Sequence, residues 1–220
     1  MLLLLLALGA TCHHRQRRNL PWVRAVRKAI QGTMDVRPRD LPVEILPHLL
    51  LGDKRSASDP ALLKVFGITH VCNAGGRAGQ QADDVLASYA AANIELLHLD
   101  AEDEEGYPML PLHRDRAAAF FARAKAASGR DLVHCVAGIN RSGVLAASEL
   151  MVHERLPVVE AVRRIKAIRG TVLWNESFQA QLVVLARAEG LLGSAPSAED
   201  QAFGPPRAKR KNAAHALKGL

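Results

Sequence analysis

Residues 131–156 constrain the fold more than any other stretch of the chain. DLVHC (131–135) is a short apolar strand pattern, SGVLAASELMVHERL (142–156) is a helix pattern, and only VAGINR lies between them. A strand that stops at Cys135 and a helix that opens near Arg141 leave a short loop. Such a loop can aim several backbone N–H groups at one centre, and the helix N-terminus adds a partial positive charge there. That geometry is an anion cradle. Gly138 and Gly143 suit it, because backbone that must approach an anion closely cannot carry a bulky Cβ.

The rest of the chain reads as strands alternating with helices. VEILPHLLLGD is extended around a proline turn. DPALLKVFG is a short helix with Asp59 as N-cap, Pro60 at the first position and Gly67 as the stop. ITHVCNAGG is a buried strand ending in glycines, DDVLASYAAAN a helix, and IELLHLD (94–100) a strand followed by the acidic loop AEDEEGYP. HRDRAAAFFARAKAAS is a helix rich in good formers. In LPVVEAVRRIKAIRG, Val158, Val159, Val162 and Ile165 share a face, with Arg163, Arg164 and Lys166 turned to solvent. NESFQAQLVVLARAEGLLG is the last helix, with Asn175 as N-cap and Gly193 beyond its end. This alternation predicts an α/β fold with a sheet flanked by helices.

Charge divides the chain into three parts. Residues 1–34 hold six basic residues and no acid, and residues 204–220 hold five and no acid; with a net charge of +7, the intervening 35–203 carry −4. The basic balance therefore belongs to the ends, which argues against a nucleic-acid-binding domain and leaves only the basic tails as a route to such a partner. Residues 1–42 read as a basic leader, 43–193 as the folded domain, and 194–220 as a disordered basic tail containing RAKRKN. The apolar run at 2–10 is too short to span a bilayer. The basic segment after it fits organellar targeting, contact with a membrane surface, or a leader without structure.

Three cysteines, Cys12, Cys72 and Cys135, form no even framework and no CxxC pair, so a disulfide scaffold is not expected. Cys72 reads as packing and Cys12 as an unmodified thiol. The nine histidines show no metal-ligand spacing, and no metal is expected.

Within the loop, the planar fork of Arg141 can hold two phosphate oxygens at once. Cys135 lies at the floor, where positive charge and backbone donors favour a thiolate. A thiolate beneath a bound phosphoryl group is a nucleophile aimed in line at phosphorus. Ser142 can donate its hydroxyl to that sulfur and steady it as a leaving group. His134 orients the loop through hydrogen bonds.

HCVAGINRSG matches the HCxxGxxRS signature of the cysteine-dependent phosphatases, and the chain resembles their dual-specificity branch over roughly residues 43–190. EILPHLLLGD and ASDPALLKVFGITHVCNAGG resemble the family's opening strands and first helix, and NESFQAQL its closing helix motif. The resemblance implies a central, mostly parallel mixed sheet flanked by helices. It implies a phosphate-binding loop of Val136, Ala137, Gly138, Ile139, Asn140 and Arg141, supported by His134 and Gly143, with Cys135, Arg141 and Ser142 in catalysis. It also implies a general acid in an A-x-D segment about thirty residues before the cysteine, which Ala101-Glu102-Asp103 fits. Asp103 is the expected acid, with Asp100, Glu102, Glu104 and Glu105 as rivals.

The expected activity is hydrolysis of phosphotyrosine and of phosphoserine or phosphothreonine in proteins, through a cysteinyl-phosphate. The protein is expected to act without cofactor, as a monomer, on a phosphoprotein. A catalytic thiolate favours a reducing, intracellular compartment, the cytoplasm first. Asn140 departs from the Ser often found in protein-directed members and also occurs in relatives acting on RNA 5′ ends; bracing the loop is its expected role. The apolar Val136, Ala137 and Ile139 speak against a highly phosphorylated inositol. A lipid phosphate, a glycan or an RNA 5′-phosphate remain alternative substrates, and a silent phosphate-binding module is the third reading.

Overall fold

The computed structural model describes residues 19–31 and 41–202. The apolar run at 2–10, Cys12 and RAKRKN lie outside the described residues.

Five strands form one sheet in the order β1-β2-β5-β3-β4. β1 (Val43–Leu46) pairs antiparallel with β2 (Leu49–Gly52) across the proline turn. β2, β5 (Asp131–His134), β3 (His70–Asn73) and β4 (Glu95–His98) run parallel. This is the mixed, mostly parallel sheet that the resemblance implies, within the α/β fold that the alternating pattern predicts. The central strands β2, β3 and β5 are buried on both faces, as parallel strands are when helices cover them, while the edge strand β4 leaves Leu96 40% exposed.

Side chains alternate between the faces. Leu49, Leu51, Cys72 and Val133 point into the larger core, while Leu50, Val71 and Leu132 point into the smaller one. The larger core is closed by α5 (Met109–Ala126), α6 (Arg141–His153), α7 (Val158–Arg169) and α8 (Glu176–Ala188). The smaller is closed by α3 (Pro60–Val65) and α4 (Asp83–Ala91), through Leu63 and Tyr89. Short α2 (Lys54–Ala57) and α9 (Ala198–Gln201) complete the described helices with α1, residues 19–31.

Several elements differ from expectation. α1 falls within the expected leader, yet it packs on the larger core through Val26 and Ile30, with Trp22 and Val23 beside them. Those residues recur at helical spacing, so the segment has an apolar face under its basic one. α1 also covers α7: Lys166 is buried, and its ammonium donates to the Ile30 carbonyl, so it is not on a solvated face. α5 starts at Met109, ahead of HRDR, because Pro111 falls in its first turn, where no N–H is needed. α8 ends against Gly190 (φ 68°), three residues before Gly193. Within the expected tail, α9 is capped by Ser197 and Asp200, and Arg163 donates to Asp200 at 3.4 Å. No helix among the described residues is long and apolar enough to cross a membrane.

Register brings the chemistry together. Gly52 and Asn73 both pair with His134, and Asn73 also pairs with His98. The loops leaving the carboxyl ends of β2, β3, β4 and β5 therefore start at one level, the usual place for a site in a parallel sheet.

Candidate active site

The loop between β5 and α6 is shaped from outside by its carbonyls. Val136 O accepts from Lys54 N at 3.2 Å, Ile139 O from Leu173 N at 3.0 Å, and Asn140 O from Val144 N at 2.8 Å. Ala137 O and Gly138 O accept from Arg169 Nη2 and Nε at 3.3 and 3.2 Å. In a trans peptide the N–H opposes the C=O. With five successive carbonyls held outward, the N–H groups of residues 137–141 turn toward the enclosed side. Gly138 has φ 64°, and a Cβ there would lie 2.6 Å from Gly52 O, so the turn requires glycine.

Cys135 is 1% exposed at the base of this loop. Ser142, the second residue of α6, is fully buried and donates its hydroxyl to Cys135 Sγ at 3.1 Å. Gly143 follows it, buried at the start of the same helix. His134 Nδ1 lies 3.2 Å from Cys135 O; a carbonyl only accepts, so Nδ1 carries the proton. Burial pushes His134 down to about 4, which keeps the ring neutral at physiological pH.

Arg141 opens α6 and is 8% exposed. Its Nη1 donates to Gly75 O at 2.8 Å and to Ala101 O at 3.3 Å. These anchors fix the guanidinium plane, and Nε is left buried without a hydrogen-bond partner. The carbonyl of Gly75 is itself set by Asn73, which accepts from Gly75 N and donates to Gly79 O, both at 2.8 Å. Gly76 (φ 54°) lets this loop touch the next one, since a Cβ there would sit 2.5 Å from Ala101 O.

The acidic loop delivers its carboxylates to different tasks. Asp103 accepts from Asn140 Nδ2 at 3.2 Å and from Asn175 Nδ2 at 3.4 Å, with Arg141 Nε at 3.9 Å. Glu105 accepts from the N–H groups of Glu176 and Ser177 at 2.9 and 3.0 Å, so it serves the N-terminus of α8. Asp100, Glu102 and Glu104 line a cavity of about 540 Å³ with Asp103 and Arg141. Only Asp103 among these acids contacts Asn140 and Arg141 of the loop between β5 and α6 in the described structure. Cys135, Ser142, Arg141 and Asp103 are thus brought to one place.

Asn140 is the joint. Its Oδ1 accepts from Trp174 N at 2.7 Å and Asn175 N at 3.1 Å, while its Nδ2 reaches Asp103. Asn175 caps α8 by accepting from Phe178 N at 3.2 Å and donates to Glu104 O at 3.1 Å. Cys72 is fully buried in the sheet and pushed far up by burial, which makes it an inert thiol.

Sequence reading missed Arg169 and Asn73. Arg169 is 4% exposed, and burial lowers its pKa while Asp53 and Cys135 oppose the shift. A signal existed: Val158, Val162, Ile165 and Arg169 follow the apolar-face spacing of α7, so an arginine there faces inward. Asn73 carried no such mark. Among the described residues no group of three His, Cys, Asp or Glu could hold a metal ion.

Residues 49–188 match the family model of the dual specificity phosphatase catalytic domain. Dual specificity protein phosphatase 26 of Bos taurus is 37% identical over 145 residues, covering 66% of this chain and 66% of that protein. Human dual specificity protein phosphatase 13B is 35% identical over 143 residues, 64% of this chain and 71% of the other. The match to the first spans just under two thirds of its length. Among solved structures, human DUSP28 superposes with a TM-score of 0.59 at 27% identity, covering 70% of this chain and 98% of that one. A mouse putative dual specificity phosphatase complexed with zinc tungstate gives a TM-score of 0.60 at 24% identity, covering 73% and 99%; that likeness is one of fold.

Proposed function

Because the chain belongs to the dual specificity phosphatase family and carries its catalytic domain, we propose that it hydrolyses phosphotyrosine and phosphoserine or phosphothreonine in proteins through a cysteinyl-phosphate. The observation that carries this reading is the buried Nε of Arg141, which has no hydrogen-bond acceptor, with Cys135 on the same loop and the Asp103 carboxylate 3.9 Å away. A buried guanidinium N–H without an acceptor calls for an oxyanion.

The phosphoryl group enters with its equatorial oxygens toward the 137–141 N–H groups and Arg141. The Cys135 thiolate attacks phosphorus in line, an S–P bond forms, and the bond to the leaving oxygen breaks. Asp103 gives that oxygen its proton. The resulting Asp103 carboxylate then takes a proton from water, whose oxygen attacks phosphorus. The S–P bond breaks, inorganic phosphate leaves, and the thiolate returns to its hydrogen bond from Ser142. Asn140 and Asn175 hold the Asp103 carboxyl at the loop. Asn140 uses its amide inside the protein, which favours a bracing role over contact with RNA.

The experiment is direct. Cys135→Ser abolishes hydrolysis of a small aryl phosphate, by about a thousandfold or more, while phosphate analogues still bind. Asp103→Ala slows phosphoserine peptides by about a hundredfold or more and activated aryl phosphates far less. Equal slowing of both substrates would move the acid role to a neighbouring carboxylate. Faster turnover of a phospholipid than of any phosphopeptide would replace the protein substrate.

A further inference from the structure

The cavity beside Arg141 is larger than one phosphoryl group requires. Its volume is about 540 Å³, and its walls are Gly75, Arg77 and Ala78 on one side and residues 100–104 on the other. Arg141 lines it with a buried Nε that has no hydrogen-bond partner and lies 3.9 Å from Asp103, so the cavity opens from where a phosphoryl oxygen would rest. Asp103 is engaged by Asn140 and Asn175. Among the described residues, no hydrogen bond or ion pair engages the carboxylates of Asp100, Glu102 or Glu104. Arg77 and Arg141 are the bases that line the cavity with them, Arg141 being anchored by Gly75 O and Ala101 O; Lys54 lies outside, on the Ala78 carbonyl.

We propose that this cavity is a subsite for a lysine or arginine side chain next to the phosphorylated residue, making basic-flanked phosphopeptides the favoured substrates. The inference rests on the phosphatase reading above and specifies its substrate class. Adjacent residues are about 3.8 Å apart along a chain, so a long side chain beside the phosphoresidue can enter a cavity that begins at Arg141. Its ammonium or guanidinium meets three carboxylates there, in a recess shielded on two sides. The same wall disfavours a second phosphate close to the first, whether on a doubly phosphorylated peptide or a 5′-triphosphorylated RNA.

The test compares two phosphotyrosine peptides that differ only in a Lys or Glu beside the phosphoresidue. A small aryl phosphate serves as each variant's own reference. At low salt the Lys peptide is hydrolysed with about fivefold higher kcat/KM, and the preference shrinks toward unity as salt rises to several times the physiological level. In Glu102→Lys/Glu104→Lys the ratio of the two peptides falls below one. Equal kcat/KM for both peptides at low salt, a preference that ignores salt, or faster hydrolysis of the triphosphorylated RNA than of the Lys peptide each overturns the inference. If the aryl phosphate is turned over and the charge preference is missing, only the subsite falls. If the aryl phosphate itself is untouched, the phosphatase reading falls and the subsite with it.

Discussion

Both ends of the Asn140 amide are engaged, the oxygen by Trp174 and Asn175 N–H groups and the nitrogen at Asp103. One side chain thus ties the phosphate loop, the segment before α8 and the expected acid. Asn140→Ala removes three hydrogen bonds, and its kinetic signature follows from which partner is freed. A loosened Asp103 hurts substrates that need a proton on the leaving oxygen. We expect kcat for a phosphoserine peptide to fall about tenfold, with a smaller change for an activated aryl phosphate. Parallel losses on both would mean that Asn140 only holds the loop. That Cys135, Arg141 and Ser142 come together was legible because they lie within one eight-residue stretch. The Asn140 and Arg169 contacts were not, since their partners lie 31 to 37 residues away in sequence. Local spacing does not encode which distant backbone closes on a side chain.

At the scale of elements, α8 links stability to the acid loop through Asn175. The cap accepts with Oδ1 and donates with Nδ2, and these functions can be separated. Asn175→Ala loses both, costing about 1 kcal/mol of folding stability from the cap alone. Asn175→Asp keeps the acceptor and the cap, but replaces the donor facing Asp103 with a like charge. Urea unfolding should therefore place the Asp variant near the wild type and the Ala variant below it, while turnover of a phosphoserine peptide falls in both. An Asp variant with full turnover would remove Asn175 from the positioning of Asp103. The Asn175 cap was readable in advance, as were Asp59 and Pro60 at α3, because capping is local chemistry. The inward face of α7 was misread at Lys166 because α1, residues distant in sequence, covers it. The early start of α5 was missed because prolines look like breakers, although a first helical turn accepts them.

Across the whole molecule, the reading of charge hid structure at one end. Basic residues marked 1–42 as a leader, yet within it Val26 of α1 is fully buried and Arg27 pairs with Glu176 on α8. Net charge describes the outer face of such a helix and is silent on its inner one. The sheet also stores a titration that belongs to the fold and not to the site. Asp131 opens β5 at the end away from the phosphate loop, is fully buried, and has no hydrogen-bond partner on either carboxylate oxygen. Burial pushes it up to about 8, with Arg123 pulling it down and Glu149 and Glu95 raising it further. Between its unfolded value near 4 and that folded value, the native protein holds a proton that the unfolded chain has released. Stability therefore falls as pH rises through this window, by up to about 1.4 kcal/mol per pH unit, and levels off above the folded value. His134 acts oppositely, its burial being lost as stability when pH falls from about 6.5 toward 4. Above about pH 7 only the Asp131 contribution of these two still changes. Asp131→Asn keeps the shape and cannot ionise, so its urea midpoint should exceed that of the wild type by a margin that widens from about pH 7 to about pH 8. Midpoints that run parallel over that range would mean Asp131 is already ionised in the folded protein.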